Sequence, residues 1–231
     1  GSGSSGSSLS GQNSFGLLVG ASDLTQSNYF RGHLADIRIS NSAGNTSSYS
    51  VPTSTASTSG AQFLKRFDDA GIVDDSGITN WSTYGSTQID TSDKKFGTGS
   101  FFVNTTDGTS TSSGNLNCQD WKYTKQFDLC GDWTIEYWFK GPSGNKTNDG
   151  QYRRVLDLGG NNPAGALQIL VDSSGMYSGA TGAHFVYDDT TLVPQAFTGN
   201  GQPNVCDDNW HHLAFTYVSS TGILSEYTDG T

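Results

Sequence analysis

Residues 132–140 (DWTIEYWFK) alternate without interruption. Trp133, Ile135, Tyr137 and Phe139 fall on one side, and Thr134, Glu136, Trp138 and Lys140 on the other. A period of two sustained over this length marks a strand with one face in a core. Residues 210–217 (WHHLAFTY) repeat the pattern, setting His211, Leu213, Phe215 and Tyr217 opposite Trp210, His212, Ala214 and Thr216. Shorter strand-like runs lie at 15–20, 29–39, 63–67, 96–103, 153–158, 167–171 and 184–187. No segment has the Ala, Leu, Glu and Lys content of a long helix, and without amphipathic crossovers parallel βαβ units are excluded. The 30 glycines and the abundant Ser and Thr supply turns between many short strands. The expected fold is all-β, an antiparallel two-sheet jelly-roll sandwich.

A chain of 231 residues can bury roughly 70% of its unfolded surface, enough for a real core. The net charge of −10 repels phosphates and argues against a broad nucleic-acid surface. No stretch reaches the length of a membrane span, and residues 1–20 lack the regions of a signal peptide. An acidic, weakly charged surface suits an extracellular or virion-surface protein. Cys118, Cys130 and Cys206 form an odd set with no zinc spacing. Cys118 and Cys130 flank a short loop, and a disulfide and two separate thiols both fit that spacing.

Residues 1–14 are a flexible Gly/Ser segment by composition, and 43–62 form a Ser/Thr-rich linker. The end of the chain is unusual. Residues 210–231 read as strand, turn and strand, stopping on Asp229, Gly230 and Thr231. A DG step signals a hairpin, so a returning strand is expected after it. Residues 15–42 carry strands of the required kind, which predicts that they close a sandwich spanning 63–231. Within GHLADIRIS the apolar face switches, since Leu34 falls out of phase with Ile37 and Ile39. A bulge near Ala35 would restore the phase.

In order, FLKRFDDAGIVDDSG, KKFGTGSFFVN, FDLCGDWTIEYWFKGP, RRVLDLGG, ALQILVDSSG and DDNWHHLAFTYVSSTGILSEYTDG resemble laminin-G-like domains of the concanavalin A-like lectin/glucanase superfamily. The resemblance covers 63–231, with LLVGAS and NYFRGHLADIRIS displaced to 17–40. It implies a jelly roll of the kind found in tandem in phage structural and bacterial surface proteins. Family order would place the displaced elements directly after Gly230. They could close a preceding repeat, fold back beside Tyr227 of the same chain, or complete a neighbouring subunit by strand exchange.

Glycanases on this fold use paired carboxylates, and the resemblance would place them in a cluster like Glu-x-Asp-x-Glu on one strand. The only glutamates here, Glu136 and Glu226, form no such cluster. The Asp pairs at 68–69, 74–75, 188–189 and 207–208 sit in turn-like sequence, where Asp organises the backbone. No GxSxG elbow is present, and His211 and His212 project to opposite faces of one strand. The chain is therefore expected not to be an enzyme. Calcium is the candidate cofactor, with oxygen ligands available at 104–108 (NTTDG), Asp74 and Asp75, or Asp207 and Asp208. Glycan binding needs exposed rings, and Trp81, Tyr84, Trp121, Tyr123 and Tyr177 lie in polar, loop-like sequence. The leading expectation is a non-catalytic recognition or adhesion module for a glycan or surface. A self-associating assembly subunit, joined to neighbouring virion or surface subunits, is the alternative.

Overall fold

The computed structural model describes residues 2–4, 17–20, 32–67, 75, 82–84, 88–103, 115–117, 131–141, 153–158, 167–172, 182–187, 195–196 and 205–231. Among them are strands and turns and no helix. The strands are β1 (Ser2–Ser4), β2 (Leu17–Val19), β3 (Gly32–Ser40), β4 (Ala61–Lys65), β5 (Ser82–Tyr84), β6 (Gln88–Asp90), β7 (Ser100–Val103) and β8 (Asn115–Asn117). They continue with β9 (Trp133–Lys140), β10 (Arg153–Leu158), β11 (Leu167–Asp172), β12 (Gly182–Tyr187), β13 (Gln195–Ala196), β14 (His211–Val218) and β15 (Ile223–Thr228).

They form two antiparallel sheets. The first runs β1-β15-β14-β9-β3-β7-β6, with β4 beside the C-terminal half of β3; the second runs β13-β12-β11-β10-β2-β8-β5. Both sheets contribute to one apolar core. Trp133, Ile135, Tyr137, Phe139, Leu213 and Phe215 come from the first, and Val19, Val155, Leu156 and Ile169 from the second. The alternation in β9 and β14 is thus used as expected, with the larger apolar face turned inward.

β3 shows why the bulge is required. Ala35 lies opposite Trp138 and Arg38 opposite Glu136, so β3 carries one more residue than β9 across this interval. Asp36 absorbs the extra residue at φ 54°, a left-handed conformation that Asp tolerates better than most residues. Leu34, Ile37 and Ile39 consequently all reach the core at 0% exposure.

Of the placements open to residues 15–42, the one beside Tyr227 is not formed. The strand on the outer side of β15 is β1, which pairs with residues 223–225. β3 lies inside the sheet between β9 and the pair β4 and β7, and β2 lies between β10 and β8 of the same chain. The reason is burial on both faces. Seven of the nine residues of β3 are buried, a pattern that suits an interior position better than an edge.

The linker segment lies across the outer face of the first sheet. It leaves the end of β3 over β9, where Gly44 N donates to Thr134 Oγ1 (2.9 Å) and Thr134 Oγ1 donates to Ser42 O (2.9 Å). It reaches β14 and the end of β15 at Tyr49, whose N–H donates to Gly230 O (2.9 Å). The return limb meets β3, where Ala56 N donates to Asp36 Oδ2 (2.8 Å). This strap explains why Thr134, Trp138, His212, Ala214 and Thr216, all on the outward side, are at most 5% exposed.

Candidate functional site

Between the return limb of the strap and the sheet is a cavity of about 370 Å3. Its floor is Asp36 and Arg38 of β3, Glu136 and Trp138 of β9, and His212 of β14; Pro52 and residues 54–57 of the strap form the wall. Cross-strand register assembles this floor. Arg38 is directly opposite Glu136, and Trp138 is opposite both Ala35 and His212. Side chains at such positions on one face are within contact distance.

Arg38 organises the site. Its Nη1 donates to Glu136 Oε1 at 3.2 Å, Nε to Ser57 O at 3.2 Å and Nη2 to Ser59 O at 2.8 Å. The guanidinium thereby ties the strap to the sheet through a planar, multi-donor contact. Glu136 also accepts from Asn45 Nδ2 at 3.4 Å. Arg66 adds a second tie on the return limb, with Nη2 donating to Ala56 O at 3.0 Å.

His212 is 2% exposed, and burial pushes its pKa down to about 4. The ring is neutral at pH 7. Its Nδ1 shares a 2.8 Å hydrogen bond with the Tyr49 hydroxyl, and its Nε2 faces Glu136 Oε2 at 3.7 Å. A carboxylate on that side favours the tautomer with the proton on Nε2, in which Tyr49 donates to Nδ1. Burial also raises the Tyr49 hydroxyl well above its usual range, so it keeps the proton it donates. Because folding lowers the His212 pKa, its contribution to stability is complete above pH 6.5 and is lost as pH falls toward 4. Replacing Tyr49 with Phe removes this hydrogen bond while keeping the ring packed on His212 and Tyr227. The expected cost is about 1 kcal/mol in urea unfolding at pH 7, and an unchanged midpoint would remove Tyr49 as an anchor of the strap.

Trp138 is crowded. The Lys95 ammonium sits 3.8 Å from its ring centroid, and Phe96 and His212 approach edge-on. Two further polar clusters lie outside the cavity. Asp93 accepts from Lys140 Nζ (2.7 Å) and Trp210 Nε1 (3.2 Å). Burial alone would raise its carboxyl, but Lys140 and His33 outweigh burial and hold it below the usual range. His211 contacts Asp229 Oδ2 (2.8 Å) and Asp207 Oδ1 (3.0 Å). Burial opposes its charge, yet the two carboxylates prevail and raise its pKa. Both arrangements fasten loops to strand ends.

Most of the residues expected from sequence to bind a ligand are not among the described residues. Trp81, Trp121, Tyr123 and Tyr177 lie outside the described residues, as do Cys118, Cys130, Asp74 and residues 104–108. Tyr84 ends β5, but its side chain is outside the description. Of the calcium candidates, Asp75 Oδ2 accepts from Arg66 N (3.3 Å) and Asp207 Oδ1 from Asn209 N (2.9 Å). No group of three or more His, Cys, Asp or Glu able to hold a metal ion occurs among the described residues. Cys206 is buried in the core. Trp133 is a core residue, and Trp210 is half-buried beside His33.

The cavity residues Asp36, Arg38 and His212 were not singled out as ligand contacts by the sequence, and Glu136 was weighed only as a catalytic group. The available signal was polar and aromatic character on the outward sides of β3, β9 and β14, which normally denotes solvated strand faces. The chain matches no protein-family model, no curated protein and no solved structure.

Proposed function

We propose that this chain is a non-catalytic recognition module on a laminin-G-like jelly roll, displayed extracellularly or on a virion surface, and that it binds a glycan in the strap cavity. One observation carries the reading. A cavity of about 370 Å3 falls in the size range of small-ligand sites, and its walls combine planar charged groups with the backbone and hydroxyls of a Ser/Thr-rich strap. Sugar hydroxyls, each both donor and acceptor, match such walls.

A hydrolytic role is disfavoured by how the carboxylates are engaged. Glu136 accepts from Arg38 and Asn45, and Asp36 accepts from the Ala56 N–H. A glycosidase needs one carboxyl free to donate its proton. Binding of a panel of neutral, amino and acidic oligosaccharides by ligand-observed NMR tests the proposal. The expected result is saturable binding with no hydrolysis, lost in Ser54→Trp, whose indole would occupy the cavity mouth. Absence of binding to every glycan, together with a concentration-dependent rise in mass, would favour an assembly subunit joined by strand exchange.

A further inference from the structure

The outer edge of β15 is closed by a strand of three small residues. β1 is Ser2, Gly3 and Ser4, paired with Ser225, Leu224 and Ile223. Glycine and serine pack little against neighbours in a sheet, so β1 supplies backbone pairing and almost nothing else. Its residue opposite an inward side chain is Gly3, across from Leu224 of the core. β1 ends at Ser2, one position short of Glu226.

Glu226 and Leu224 are two positions apart and share the inner face of β15. Glu226 is 2% exposed, and both of its carboxyl oxygens lack a hydrogen-bond partner among the described residues. A buried carboxyl left in this way costs stability, and a neighbour that brings donors would remove the cost. The amino group that precedes β1 already favours the ionised form of Glu226, so a cation on this edge reaches it electrostatically. A lysine ammonium has three donors and an arginine guanidinium five, enough for both carboxyl oxygens. On the opposite face of β15, Ile223 stands across from Ser4 and is 40% exposed. An apolar residue in place of Ser4 would cover it.

We infer that the outer edge of β15 takes an extended segment of a partner protein in place of β1, with a Lys or Arg of that segment opposite Glu226 and apolar residues opposite Leu224 and Ile223. Antiparallel pairing then sets the order along the segment as basic, any residue, apolar, apolar. Main-chain hydrogen bonds supply the affinity of such strand addition and the side chains its selectivity. The site is separate from the strap cavity, which no residue of β15 lines. It therefore stands or falls independently of glycan binding.

The test is fluorescence polarisation of the full chain at pH 7 with the labelled, amidated peptide Ser-Thr-Lys-Thr-Val-Ile-Ser and its counterparts carrying Gln or Glu in place of lysine. The lysine peptide is expected to bind roughly tenfold more tightly than the glutamine peptide, the scale of one hydrogen bond to a charged group. The glutamate peptide should not bind. Gly3→Pro removes an amide donor from β1 and disfavours it as a strand, so it should strengthen binding of the lysine peptide several-fold. Glu226→Gln should abolish the preference for lysine over glutamine. A preference that persists in Glu226→Gln would reflect general attraction to a chain of net charge −10 and overturns the inference. Equal affinity of the lysine and glutamine peptides for the unmodified chain overturns it, as does failure of every peptide to bind Gly3→Pro. Self-association of Gly3→Pro without peptide would give the edge to a second copy of the chain and overturn the partner assigned to it.

Discussion

Replacing Glu226 with Gln is expected to stabilise the protein by about 3 kcal/mol at pH 7 and to leave stability nearly unchanged at pH 4. Glu226 is directly opposite Phe215 in the β14–β15 pair and therefore points inward between the sheets. It is 2% exposed, and neither carboxyl oxygen has a hydrogen-bond partner among the described residues. Burial pushes its pKa up to about 8 from an ordinary 4.5. The nearby Tyr137 hydroxyl, also buried and without a hydrogen-bond partner among the described residues, is raised well above its usual range, by burial first and by Glu226 second.

The sign follows from which form the core prefers. The folded state holds the proton more tightly than the unfolded state. Stability is therefore greatest below pH 4.5, declines as pH rises from 4.5 to about 8, and is level beyond. The slope is about 1.4 kcal/mol per pH unit. His212 acts in the opposite sense, favouring the fold as pH rises from about 4 to 6.5. The two slopes offset each other between 4.5 and 6.5, so the wild-type protein should lose stability mainly between pH 6.5 and 8. His211 reinforces that loss, because its raised pKa makes its contribution complete below 6.5 and absent once pH passes its folded value. Urea unfolding of both proteins from pH 4 to 9 provides the measurement. A Gln variant that is less stable than wild type at pH 7, or whose advantage does not vary with pH, would refute the assignment of a buried, protonated Glu226.

Gly230→Ala is expected to destabilise the protein by roughly 3 kcal/mol, combining a strained left-handed backbone with local overpacking. Gly230 has φ 84°, where a Cβ is disfavoured. A Cβ there would also run into the carbonyl oxygen of Tyr49 and come within 3.3 Å of the Val51 side chain. The strap would have to lift, breaking the Tyr49 N–H to Gly230 O bond and drawing the Tyr49 hydroxyl from His212. The consequence should reach the cavity. Histidine NMR titration would show the His212 pKa moving from about 4 toward its ordinary 6.5 as water gains access. A stable variant with an unmoved His212 pKa would show that the strap does not depend on this contact.

The strap marks the limit of what can be read along the chain. Thr134, Glu136 and Trp138 form the outward half of a simple alternation, which locally suggests a solvated face. They are covered by a segment whose composition is that of a linker. Tyr49 and His212 are 163 positions apart, and Arg38 and Glu136 are 98 apart. Nothing in the local pattern of either partner specifies the other.

The antiparallel all-β class, the inward faces of β9 and β14 and the need for a bulge in β3 are legible along the chain. Each depends on a period of two, and that period is set by the pleat within a single strand. The interior place of β3, the inward direction of Glu226 and the cavity that the strap makes over Arg38, Glu136 and His212 come from the folded arrangement. Those outcomes depend on strand neighbours and on hydrogen bonds between distant residues, and neither follows from the order of residues within one segment.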